Sequence, residues 1–187
     1  MKPRDHLVFI KTHKTGSTTL THIINRFGYT RNLSFALNRA EPYAGHVGHH
    51  SVTPEIRRRF LPHLGHELGT SGSANSSSLS TNASVTYDVL NIHLRHNKAG
   101  IDAFMAQPTR YVTILRDPGY QVESAFAHFG LRTSLLPIDS KACTHQELDC
   151  LLDRYLAKPE FYRNRTRGMQ RNMIDNGQIF DLGLNRD

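Results

Sequence analysis

The sequence predicts an α/β fold, with a central, mostly parallel sheet flanked by helices. Two observations carry this. An apolar, strand-like run at His6 to Lys11 passes through a polar turn into a segment with helical spacing. The run Arg110 to Leu115 does the same through Asp117-Pro118-Gly119. Strands that alternate with helices need crossover connections, and crossovers lay helices on the faces of a parallel sheet.

Taken in order, the elements read as follows. After the first strand, Thr12 to Gly16 form a turn. From Ser17 the period changes, with Leu20, Ile23, Ile24 and Phe27 on one helical face and Gly28 as the expected stop. Asn32 to Leu37 reads as a weaker strand. Glu41 to Gly69 is rich in His, Gly and Pro, and residues 69–84 are almost wholly Ser, Gly, Asn, Thr and Ala, a composition that buries no core and predicts a flexible insertion. Tyr87 to Leu94 reads as a strand and Ala99 to Ala106 as a short helix. Val122, Ala125, Phe126 and Phe129 mark a helix after the clearest strand, and Glu147 to Leu156 and Thr166 to Ile174 predict two more. Ligands in such sheets bind beyond the carboxyl ends of strands, which puts Lys11 to Ser17, His93 and Arg116 to Ser124 on one rim.

Composition narrows the partners without choosing one. The 187 residues suit one domain, and the formal charge of +7 argues for an anionic partner such as a nucleotide, nucleic acid or acidic lipid. Cys143 and Cys150 are too few for a disulfide scaffold; a single bridge and a reduced pair are equal alternatives. No apolar run approaches the roughly 18 residues that a membrane helix needs. Four sequons, at Asn32, Asn75, Asn82 and Asn164, lean toward a lumenal protein. His46, His49, His50, His63 and His66 match no standard zinc spacing, so no metal site is expected.

The chemistry is concentrated in Lys11-Thr12-His13-Lys14-Thr15-Gly16-Ser17-Thr18-Thr19. A strand feeds a turn that opens a helix, and the first helical amides have no intrahelical partner, so an anion binds there readily. Gly16 lets backbone approach a phosphate, Lys14 reaches the same group, and Thr15, Ser17 and Thr18 offer hydroxyl donors. The ATP-binding pattern G-x-x-x-x-G-K-[ST] is absent because Lys14 precedes Gly16, and no Mg²⁺-binding Asp ends a strand. The second motif is Leu115-Arg116-Asp117-Pro118 with Ser124 about two helical turns on. Arg116 is a forked, permanently charged donor for an anion, unless Asp117 or Glu123 pairs with it.

The phrase VFIKTHKTGSTTL resembles the PAPS-dependent sulfotransferases, most of all the galactose 3-O-sulfotransferases, a family that includes the galactosylceramide sulfotransferase. Asn91 to Asn97 is similar to the family's H-x-R-x-N stretch, and QRNMIDNGQIFDLGL at residues 170–184 to a segment ending in FDLGL. The resemblance implies a P-loop-NTPase-like sulfotransferase fold and a single domain that continues in the family past residue 187. It implies PAPS (3′-phosphoadenosine-5′-phosphosulfate) as co-substrate without a required metal. Lys11, Thr12, Lys14, Thr15, Gly16, Ser17 and Thr18 would hold the 5′-phosphosulfate, and Arg116 and Ser124 the 3′-phosphate. The implied acceptor is a galactose-terminated glycolipid or glycan. The implied setting is the Golgi lumen, with a membrane anchor outside this sequence.

Sulfuryl transfer resembles phosphoryl transfer, with in-line attack and catalysis by positioning and charge. Lys14 would stabilise the leaving oxygen, with Lys11 assisting, and His13 or His93 would take the acceptor proton, His13 being favoured because the loop fixes its place. The competing readings are an inactive fragment that still binds nucleotide, a P-loop kinase or NTPase, and a basic nucleic-acid-binding module.

Overall fold

The computed structural model describes residues 6–39, 46–51, 56, 59–61, 86–129 and 148–184. The chain has a mixed α/β architecture with small parallel sheets, and it divides into two compact units: Met1–Lys11 with Thr18–Thr113, and Thr12–Ser17 with Ile114–Asp187. The Ser-rich insertion at 69–84 lies outside the described residues.

The first unit is built on β1 (Leu7–Ile10), whose Val8, Phe9 and Ile10 are buried. The unit also contains β2 (His46–Ser51), β3 (Val89–Leu90), β4 (His93–Arg95) and β5 (Arg110–Thr113). One sheet has the order β3-β1-β5, and both of its pairings are parallel; Leu7 faces Val89 on one side, and Leu7 to Ile10 face Arg110 to Thr113 on the other. β2 and β4 make a second, two-stranded parallel sheet. The single strand expected over Tyr87 to Leu94 is therefore two strands in two sheets, and His93 begins β4 rather than ending a strand. β2 falls in the His- and Gly-rich stretch where no strand was expected. Asn32 to Leu37 contributes only an isolated parallel bridge, Phe35 to Val89, in place of a strand.

Helix α1 (Ser17–Thr30) runs past Gly28, against the expected stop. The reason is steric: a Cβ on Gly28 would lie 2.4 Å from Cζ of Phe35, so this glycine serves close packing inside the helix. The buried face is also rotated from the one expected. Ile24 and Gly28 are buried with Ser17, while Ile23 is exposed. Helix α2 (Lys98–Asp102) is shorter than the expected segment, and its N-cap Asn97 accepts the Gly100 N–H. Phe60, Tyr87 and Phe104 form a buried aromatic cluster, with ring centroids 5.1 to 6.4 Å apart. Tyr111 donates to Asp102 at 2.5 Å; burial and the Asp102 carboxylate together push its hydroxyl far above the usual phenol range.

The second unit is helical outside its loop: α3 (Pro118–His128), α4 (Leu148–Ala157), α5 (Pro159–Arg163), α6 (Gly168–Ile174) and α7 (Gly177–Asp181). Asp117 caps α3, its carboxylate accepting from the Gly119 and Tyr120 amides, and Pro118 occupies the first turn, where a missing N–H costs nothing. Phe126, Leu151, Tyr155, Tyr162 and Ile174 make the unit's apolar core. Two short helices, α5 and α7, were not foreseen. Cys150 in α4 is disulfide-bonded, which decides that open question for this residue. Among the described residues no helix is long and apolar enough to cross a membrane.

Candidate anion site on the loop after the first strand

The loop Thr12–Ser17 is held in shape from within. Thr12 Oγ1 donates to the Ile114 carbonyl at 2.6 Å, which ties the loop's start to the segment after β5. Thr15 and Ser17 direct their hydroxyls to the Thr12 carbonyl at 3.1 and 2.8 Å. These hydroxyls, read from sequence as donors to a ligand, also stitch the turn. Main-chain amides and Lys14 are further donors of the loop. Lys14 and Gly16 both take left-handed backbone, at φ 59° and 81°. Such alternation turns successive N–H groups toward one side and makes an anion-binding concavity. A Cβ at Gly16 would meet nothing within 4 Å, so that face is open to an incoming group, although its φ disfavours any side chain.

Arg116 is exposed, and its Nη1 donates to the Lys14 carbonyl at 3.2 Å, which sets the guanidinium beside the loop. Its side chain is not taken by Asp117, whose carboxylate caps α3. Two groups missed in the sequence hold this arrangement. The Gln178 amide clasps Arg116 by its backbone, accepting from N–H at 2.9 Å and donating to C=O at 2.8 Å. Asp181 accepts the His13 main-chain N–H at 2.7 Å and lies 2.9 Å from His13 Nδ1 through both oxygens; both residues are buried. Both missed residues stand on α7, inside the segment whose resemblance was noted but whose side chains were given no role. Ser124 sits half-buried on α3.

The other proposed residues lie in the first unit. Lys11 is buried rather than a surface lysine, and desolvation holds its ammonium below the usual lysine range. His93, also buried, donates Nδ1–H to the Lys11 carbonyl at 3.0 Å. Among the described residues no three His, Cys, Asp or Glu side chains cluster as metal ligands.

With this geometry in hand, comparison with known proteins is decisive for kinship. The sequence model for galactose-3-O-sulfotransferase matches residues 1–187. The chain belongs to the galactose-3-O-sulfotransferase family. It is 30% identical over 186 residues to galactose-3-O-sulfotransferase 2 of Sus scrofa, covering 99% of this chain and 39% of that protein. It is 28% identical over 187 residues to galactosylceramide sulfotransferase of Bos taurus, covering all of this chain and 37% of that one. The chain thus spans about two fifths of these family members. No solved structure matches it.

Proposed function

We propose that this chain is the donor-binding part of a sulfotransferase that moves the sulfuryl group from PAPS to a hydroxyl of a galactose-terminated glycolipid or glycan, on a P-loop-NTPase-like sulfotransferase fold. The observation that carries the proposal is the Thr12–Ser17 loop, with left-handed Lys14 and Gly16 and the Arg116 guanidinium at the Lys14 carbonyl. PAPS, when bound, supplies a sulfur centre: the acceptor oxygen bonds to it as the bond to the 5′-phosphate oxygen breaks, and the electron pair leaves with adenosine 3′,5′-bisphosphate. The loop amides and Lys14 hold the 5′ group and answer the charge that grows on its oxygen, with Lys11 assisting. Arg116 and Ser124 grip the 3′-phosphate. His13 takes the acceptor proton, with His93 as its rival.

The proposed compartment is the Golgi lumen, with membrane association supplied by a segment outside residues 1–187. The disulfide at Cys150 and the exposed Asn32 and Asn164 of two sequons support it. A mobility shift on glycosidase treatment of protein made in a secretory host tests this reading; no shift at any sequon removes that support.

The deciding experiment is calorimetry of adenosine 3′,5′-bisphosphate, 5′-AMP and ATP-Mg²⁺ on wild type and Arg116→Ala. The bisphosphate is expected to bind best and to weaken by about tenfold or more in the variant, the worth of a charge-assisted hydrogen bond. Binding of 5′-AMP, which lacks the 3′-phosphate, should not change. Preference for ATP-Mg²⁺ would refute the proposal in favour of an NTPase.

A further inference from the structure

We propose that Asp181 is a positioning residue that sets the tautomer of His13, so that Nδ1 carries the ring proton and Nε2 presents the lone pair that receives the acceptor's proton. This rests on the nucleotide-site reading above and adds a residue to it. A carboxylate only accepts, so the 2.9 Å approach of Nδ1 to both Asp181 oxygens requires hydrogen on Nδ1. The same carboxylate accepts the His13 main-chain N–H at 2.7 Å. Ring and backbone are thereby held by one carboxylate, and the imidazole cannot present its other edge without losing the Nδ1 contact.

The surroundings support the arrangement. The His13 carbonyl accepts from Gln121 Nε2 at 3.3 Å, and the ring lies 5.7 Å from that of Phe129, so α3 braces the residue from a second direction. At the start of α7, a Cβ on Gly177 would come within 2.9 Å of Gln121 Nε2 and 2.8 Å of Met173 Sδ; a bare glycine is what lets the helix that carries Asp181 approach so closely. Asn176 enters that helix at φ 98° and caps it through Ile179 N–H, which fixes the helix start four residues before the carboxylate it delivers. Among the described residues, the charged or titratable groups around His13 include Asp181 itself, the adjacent Lys14, Arg116 at the Lys14 carbonyl, and His128 against the Phe129 ring. Of these, Asp181 carries the negative charge. When His13 accepts a proton at Nε2, the imidazolium forms against a carboxylate already in place.

The test reads the tautomer directly and turnover separately. In ¹⁵N-histidine-labelled chain, with His13→Gln used to assign the signal, long-range proton–nitrogen correlation should show His13 as the Nδ1–H tautomer. Asp181→Asn, which can present an amide N–H to the ring, should convert it in whole or part to Nε2–H, and Asp181→Glu should restore Nδ1–H. Transfer to a galactoside by Asp181→Asn should fall about a hundredfold or more through kcat, the scale of a displaced base, with the affinity for adenosine 3′,5′-bisphosphate held within about threefold. The pH–rate limb absent from His13→Gln should be absent from Asp181→Asn as well. An Nε2–H signal in the wild type, or an unchanged tautomer in Asp181→Asn, overturns the inference. So does a fall in turnover matched by an equal loss of nucleotide affinity with the pH profile intact, which is the signature of a merely structural anchor. A wild-type chain that does not bind the bisphosphate overturns the nucleotide reading and this role with it, whatever the tautomer; binding retained with the tautomer unmoved overturns this role alone.

Discussion

His13 and His93 are both held at Nδ1, but by acceptors of different kinds. His13 is met by a carboxylate from α7, which also takes its backbone N–H. His93 is met by the carbonyl of Lys11, a neutral main-chain group fixed next to β1. Either partner sets the same neutral tautomer. Only the carboxylate offsets the positive charge the ring acquires on taking a proton, because a charge-assisted hydrogen bond is about twice as strong as a neutral one. The carbonyl of Lys11 moreover belongs to a residue whose own ammonium is held buried.

The largest expected effect breaks or keeps this contrast outright. His13→Gln should lower transfer to galactoside by about 10² to 10⁴-fold, and His93→Gln by less than about tenfold, when kcat is measured with saturating donor. The reverse order would make His93 the base. Next, Gln178→Ala removes two part-buried hydrogen bonds from the Arg116 backbone, a cost of about 1–3 kcal/mol. Affinity for adenosine 3′,5′-bisphosphate should fall and the His13 tautomer should stay, which would confine the contribution of Gln178 to the phosphate side of the loop. A stability cost of the same size, about 1–3 kcal/mol, is expected for Gly28→Ala, because the new Cβ collides with the Phe35 ring and disturbs the bridge to Val89. Chemical denaturation should register it, with the His13 signal unchanged.

The smallest effect concerns Lys11. Its folded pKa lies below its unfolded value, so between the two the unfolded chain binds more protons and stability climbs as pH rises. Below that window the full cost of the buried ammonium is present. Lys11→Met should therefore raise the ligand-free melting midpoint near neutral pH, and the gain should shrink toward pH 10.5. If Lys11 assists at the nucleotide as proposed, bisphosphate binding should weaken in the same variant. An unchanged midpoint would mean that burial of the Lys11 ammonium carries no stability cost.

Much of this was legible because it is local. β1, the loop and α1 follow one another without interruption, and β5 runs through the Asp117 cap into α3, so adjacent residues were enough to see them. What escaped depends on partners far along the chain. Gly28 reads as a stop until Phe35 is known to lie over it. The split of Tyr87 to Leu94 into β3 and β4 reflects two different neighbouring strands, which no period in the segment itself records. That Thr15 and Ser17 also hold the turn through the Thr12 carbonyl is not visible until the loop is folded. α7 is a five-residue helix, too short to display a repeat, and the two side chains that it contributes act on residues 62 and 168 positions away.

That last separation sets an order in time. His13 leaves the ribosome 168 residues before the carboxylate that holds it. At the usual synthesis rate of about 5–20 residues per second, the loop waits roughly ten to thirty seconds for its anchor. Its partner Ile114, 102 residues on, is synthesised earlier, so the tie at the start of the turn is available before the one that orients the histidine. The loop is thus tied at its start before its histidine is held, and the His13 contacts to Asp181 are the last of these to be set.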